Sequence, residues 1–203
     1  NNEYDLKSKN GHLAHKINDY AYGTMNERIT SNNKPDFFFM SYSKAELKVR
    51  DFILIPKHFF VPDIIEKRAP LAPTARRAGW TGCNILINKI PEQGKIAIVS
   101  NGKIQDVDGV VCKVNKSRQL ETKDINSRSW LMDVLNCVNK TSSNLFTLSE
   151  MYQFEDILKV KHPRNNNIRP KIRQQLQFLR DKGFLDLLGD GKYSHVCEGV
   201  SRT

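Results

Sequence analysis

Nowhere does the sequence run apolar for the roughly 18 residues that a bilayer-crossing helix needs, so a transmembrane span and a membrane partner are not expected. Cysteine is scarce as well: Cys83, Cys112, Cys137 and Cys197 stand far apart, with no C-x-x-C pair and no histidines at zinc-ligand spacing. His195-x-Cys197 offers two ligands where a tetrahedral site needs more. Reduced thiols and a cytoplasmic location are expected instead. His12, His15, His58, His162 and His195 show no metal-ligand spacing either and read as surface or satisfied interior residues. Negative charge is short: 22 acidic side chains face 32 Lys and Arg, giving a net charge of +10 over 203 residues. That balance favours a polyanionic partner, because neutralising phosphates releases their counterions. There is no secretory signal and no initiator methionine, and Asn1 leads almost at once into an extended segment, so the chain is expected to begin partway into a domain.

What is present reads as two domains. Tyr4 to Lys7 looks extended and Asn10-Gly11 makes a turn. Leu13, Ile17, Tyr20, Ala21, Met25 and Ile29 then recur at helical spacing and predict one amphipathic helix, stopped by Ser31-Asn32-Asn33-Lys34-Pro35. Phe37-Phe38-Phe39-Met40 and Phe52-Ile53-Leu54-Ile55 predict buried central strands. Asn101-Gly102 between Ile96-Val99 and Lys103-Ile104 predicts a type I′ hairpin. From about Asn115 to Arg128 the chain turns polar with little apolar period, which places a domain boundary there. Beyond it, a helix is expected over Trp130 to Val138. A second, opened by a Thr147/Glu150 capping box, carries Met151, Phe154, Ile157 and Leu158. A third has an apolar stripe of Ile168, Ile172, Leu176 and Leu179. Gly183 ends that helix, and a hairpin turning at Gly189-Asp190-Gly191 follows; three helices and a β wing describe a winged helix-turn-helix.

Three groups of residues carry candidate chemistry. On an extended strand Asp5 and Lys7 point to the same side, pairing a carboxylate that can hold Mg²⁺ with an ammonium that can orient a water at phosphorus. On the third helix, Arg169, Arg173, Gln177 and Arg180 line a polar face, with Lys171, Gln174, Gln175 and Lys182 beside it. Arginine can donate to guanine and glutamine to adenine, and lysine suits phosphate. Lys192 adds a positive charge to the wing. The segment Leu71 to Cys83 sets Arg76, Arg77 and Trp80 between a proline and two glycines: guanidinium forks for phosphate and an indole that can stack on a base. The plain alternatives are a solvated helix face and a structural loop whose arginines pair with carboxylates.

Four segments together resemble the DpnI-type methyl-directed type II restriction endonucleases, which cut GATC sites carrying N6-methyladenine. They are Asp5-Leu6-Lys7-Ser8-Lys9, Phe37-Phe38-Phe39, Pro70 through Cys83, and Lys171 through Lys182. The resemblance covers nearly the whole chain. It implies a mixed α+β PD-(D/E)xK nuclease core over residues 1–120 and a mainly α winged-helix domain over residues 128–203, acting on adenine-methylated double-stranded DNA. Asp5 then matches the second acidic Mg²⁺ ligand, the Leu6 carbonyl a further ligand, and Lys7 the catalytic lysine. Trp80 matches an aromatic position on the catalytic domain's DNA-facing surface. The family's first catalytic aspartate and its zinc-binding cysteines lie upstream of the matched segments, so no residue here is assigned to zinc. Asp5 replaces the more usual glutamate, and Asp190 puts a negative charge in the wing. A monomer in solution is expected. The competing expectation is a non-catalytic reader of methylated DNA whose nuclease-like core is only a scaffold.

Overall fold

The computed structural model describes residues 15–31, 34–122, 124–141 and 143–196. The expected strand and turn over residues 4–11, with Asp5, Leu6 and Lys7, lie outside the described residues. The chain divides into two compact units, Asn1–Arg128 and Ser129–Thr203.

The first unit is built on two antiparallel sheets. Strand β1 (Lys16–Ala21) runs straight into helix α1 (Tyr22–Thr30). The single helix expected from Leu13 to Ile29 is therefore half strand. An apolar residue every fourth position fits a strand as well as a helix, and here β1 gains a ladder to a distant partner, Ile17 facing Ile85. Tertiary pairing overrides the local period. The amide of Tyr22 donates to Thr81 O at 3.0 Å where strand gives way to helix. Helix α1 buries Met25 and Ile29 and stops at Ser31, whose amide returns to Glu27 O.

Strand β2 (Phe37–Ser43) pairs with β3 (Lys48–Ile55), β3 with β6 (Ile96–Ser100), and β6 with β7 (Lys103–Ile104). The β2 run was expected to be central and buried, but it is an edge strand with one open face. Phe39, Ser41 and Ser43 point inward, while Phe38, Met40 and Tyr42 are 57%, 50% and 38% exposed. A continuous aromatic run conceals the two-residue alternation that the sheet imposes. Strand β3 is interior, and the β6–β7 hairpin turns through Asn101 at φ 50° and Gly102 at φ 75°, the left-handed pair a type I′ turn requires. The smaller sheet sets β5 (Gly82–Leu86) between β1 and β4 (Ile65–Lys67). A polar row crosses it: Asn84 Nδ2 donates to Glu66 Oε2 at 2.6 Å, and Lys16 pairs with the same carboxylate. These partners hold the Glu66 carboxyl below its usual range.

Helix α2 (Val107–Arg118) packs on β6, and its last turn opens the polar stretch 115–128 where the domain boundary was expected. Asp106 caps it, accepting from the Gly109 amide at 2.7 Å. The helix buries only Ser117, and Leu120 just beyond it, so its sequence shows almost no apolar contrast. His58 in the same unit is fully buried, and burial pushes its imidazole down to about 4. Its Nε2 has no partner among the described residues, so it is an interior histidine satisfied on one side only. Cys83 and Cys137 are buried and Cys112 is exposed.

Helix α3 (Ile125–Val138) leads into the second unit, followed by β8 (Leu145–Thr147), α4 (Leu148–Tyr152), α5 (Glu155–Lys161), α6 (Ile168–Asp181), β9 (Leu185–Gly189) and β10 (Lys192–His195). Thr147 and Glu150 form the expected reciprocal capping box. The helix it opens is broken after one turn, however, because Gln153 and Phe154 close tight turns onto Glu150 and Met151 before α5 starts. Strand β8 was not expected, being too short to show a period; it completes a sheet in the order β8-β10-β9. Helix α6 buries Ile168, Ile172, Leu176 and Leu179 as its stripe requires, and Gly183 at φ 70° ends it. Gln175, expected beside the polar face, is instead buried with that stripe. Among the described residues no helix is long and apolar enough to cross a membrane.

Candidate nucleic-acid interface

In the first unit, the candidate surface is the excursion between β4 and β5. The ladder of the small sheet continues through the Arg68 amide to Gly82 O at 3.0 Å. The neck is then closed twice more, Leu71 N to Trp80 O at 2.9 Å and Gly79 N to Leu71 O at 3.1 Å. Bonds from Ala75 N to Ala72 O and from Trp80 N to Arg77 O turn the tip back, and Gly79 supplies the left-handed residue at φ 78°. The loop is thus pinned at its base while its tip stands in solvent.

Arg76 and Arg77 are exposed there, and among the described residues neither is paired with a carboxylate. Trp80 is half-buried, its ring packed onto Gly82: a Cβ at that position would fall 2.8 Å from the indole. The Arg77 guanidinium stands over the same indole, 4.9 Å from the ring centre. An exposed cation–π contact is worth about 0.5–1 kcal/mol, whereas a charge-assisted hydrogen bond reaches about 1.5–3 kcal/mol. A phosphate within reach would draw Arg77 off the ring and uncover the indole.

In the second unit, the polar face of α6 is less uniform than its sequence suggests. Arg173, Gln174 and Gln177 are exposed; Lys171 is half-exposed and donates to Gln174 Oε1 at 2.7 Å. Among the described residues Arg173 and Gln177, one turn apart, make no ion pair or hydrogen bond, so both are free to reach base edges. Arg169 is not free. Its Nε donates to Glu155 Oε2 at 2.6 Å and its guanidinium lies 5.1 Å from the Tyr152 ring centre. Arg180 folds onto Asp181 at 2.7 and 3.0 Å. Periodicity assigns residues to a face but is blind to Glu155, which belongs to another helix and reads as an ordinary first-turn acid. In the wing, Gly189, Asp190 and Gly191 all take positive φ, and Lys192 is exposed beside Asp190.

The Asp5-Leu6-Lys7 triplet falls outside the described residues. Among the described residues no group of three or more His, Cys, Asp or Glu side chains is placed to hold a metal.

A winged helix-turn-helix with an unpaired arginine and glutamine on its recognition helix, following an α+β unit with a tethered basic loop, defines a DNA-binding protein with an additional domain. Residues 1–123 match the Dam-replacing family, DpnI, and residues 126–195 match the Dam-replacing HTH domain. The chain belongs to the Dam-replacing, or DpnI, family. Membership carries the coarse assignment: a methyl-directed restriction enzyme with its own DNA-binding domain.

Proposed function

We propose that the full-length protein hydrolyses double-stranded DNA at GATC sites containing N6-methyladenine, with Mg²⁺ as cofactor. The observation that carries this reading is the family match, whose first segment takes in both the Asp5-Leu6-Lys7 triplet and the Arg76-Arg77-Trp80 loop. The Asp5 carboxylate and Leu6 carbonyl are hard oxygen donors of the kind Mg²⁺ takes, and the bound ion would stabilise charge at phosphorus and acidify water. Lys7 orients the attacking water and offsets negative charge as the leaving oxygen departs. Outside that centre, Arg173, Gln174 and Gln177 read base edges, while Lys171 and Lys192 hold the backbone. Arg76 and Arg77 take phosphates next to the methylated base, and Trp80 gives the adenine methyl an apolar wall.

Trp80→Ala tests the methyl-reading part. A methyl group in an apolar pocket is worth about 1–3 kcal/mol, so the preference for methylated over unmethylated duplex is expected to fall by about tenfold or more. Affinity for the unmethylated duplex should change by less than about threefold, because Arg76, Arg77 and the winged helix keep their phosphate contacts. Parallel equilibrium titrations of the two duplexes read both quantities; equal losses on both would remove Trp80 from methyl recognition.

A further inference from the structure

We propose that Glu155 and Tyr152 are positioning residues that hold Arg169 as a preformed phosphate clamp at the start of the recognition helix. The proposal rests on the DNA-binding reading above. Arg169 stands in the first turn of α6, Glu155 opens α5, and Tyr152 ends α4, so the three meet where the helix-turn-helix elements begin and end. Glu155 takes only the Nε of the guanidinium, and the Tyr152 ring fixes its plane. The two terminal nitrogens have no partner among the described residues, and the side chain remains 58% exposed although held at two points. That is the arrangement a bidentate phosphate contact needs: a fork aimed and still open.

Stability does not account for the pair. An exposed ion pair contributes little to folding, and two acids, Glu155 and Asp156, in the first turn of a helix that meets DNA would repel phosphate. Glu155 is tolerable there if its charge is spent on Arg169. Simple charge counting and positioning then make opposite forecasts for Glu155→Ala. Removing a negative charge alone tightens DNA binding, whereas losing the holder of Arg169 weakens it, because a loose arginine must be ordered on binding.

The test measures binding of a methylated GATC duplex by the whole protein, without divalent metal, across a series of salt concentrations. It uses wild type, Arg169→Ala, Glu155→Ala and the double variant, with Arg173→Ala as a reference. Arg169→Ala is expected to weaken binding about tenfold and to lower the slope of log affinity against log salt by about one, with the melting temperature nearly unchanged. Glu155→Ala is expected to weaken binding about threefold in the wild-type background and to tighten it when Arg169 is already alanine. Equal tightening in both backgrounds, or an unchanged salt slope in Arg169→Ala, overturns the proposal. If those results come with salt-dependent binding by wild type and a loss in Arg173→Ala, the winged-helix reading survives. No salt-dependent binding by wild type overturns both.

Discussion

Lys7→Ala is expected to lower cleavage of methylated duplex by roughly 10³-fold, the loss that follows removal of a single group that stabilises charge in a transition state. Asp5→Ala should do the same by a different route, since deleting the carboxylate removes a metal oxygen ligand. Both changes leave the sequence of the exposed loop and of the recognition helix intact. Affinity for the duplex should therefore stay within about threefold of wild type, because phosphate contacts elsewhere supply most of it. The pairing of lost turnover with kept binding separates a catalytic role from a structural one. Gel assays of cleavage under single-turnover conditions, beside metal-free titrations of the same duplex, measure the two. Cleavage retained within about tenfold in both variants would remove the triplet from the chemistry.

Trp130→Ala is expected to destabilise the second unit by about 3–5 kcal/mol, enough to unfold much of it at growth temperature. Trp130 is 2% exposed on α3, and the His162 ring from the end of α5 stacks on it at 3.8 Å with an interplanar angle of 14°. One turn further along α3, Asp133 is 5% exposed, contacts His162 Nε2 at 2.9 Å and pairs with Lys161. The indole therefore does more than fill volume. It shields a buried carboxylate and the imidazole that partners it, and its removal opens a cavity beside a charge that burial makes costly to leave unsatisfied. The same surroundings, burial first and then the Asp133 charge, push the Cys137 thiol up to about 11. Trp130→Phe keeps a ring against His162 and should recover more than half of the loss. Denaturant unfolding followed by circular dichroism gives the numbers, and a loss below about 1 kcal/mol in Trp130→Ala would contradict this packing argument.

The winged helix was legible in the sequence because its signals are local. A threonine and a glutamate three residues apart, an apolar stripe on α6 and glycines at the two turns each specify geometry without reference to distant chain. The first unit was legible only in part, because its structure depends on partners far away in sequence. The segment 16–21 is a strand since β5 pairs with it, and nothing within the segment says so. The open face of β2 was hidden by three consecutive phenylalanines, which read as uniformly buried. Helix α2 escaped notice because it rests on the sheet through very little apolar surface.

The candidate interface shows the same division. The exposure of Arg76, Arg77, Arg173 and Gln177 follows from loop and helix spacing, whereas the capture of Arg169 by Glu155 and the packing of Trp80 on Gly82 need three dimensions. Arg169 illustrates the difference. One helical face in sequence becomes two kinds of arginine in space, one free to read bases and one held.

Digestion of paired substrates bears most directly on the proposed activity. Two duplexes of identical sequence containing GATC, one with N6-methyladenine and one without, are incubated with the protein and Mg²⁺, and their products are resolved. Cutting of the methylated duplex alone, abolished by Lys7→Ala and by chelation of the metal, is the expected result. Binding of the methylated duplex with no cutting of either, or equal cutting of both, would contradict it.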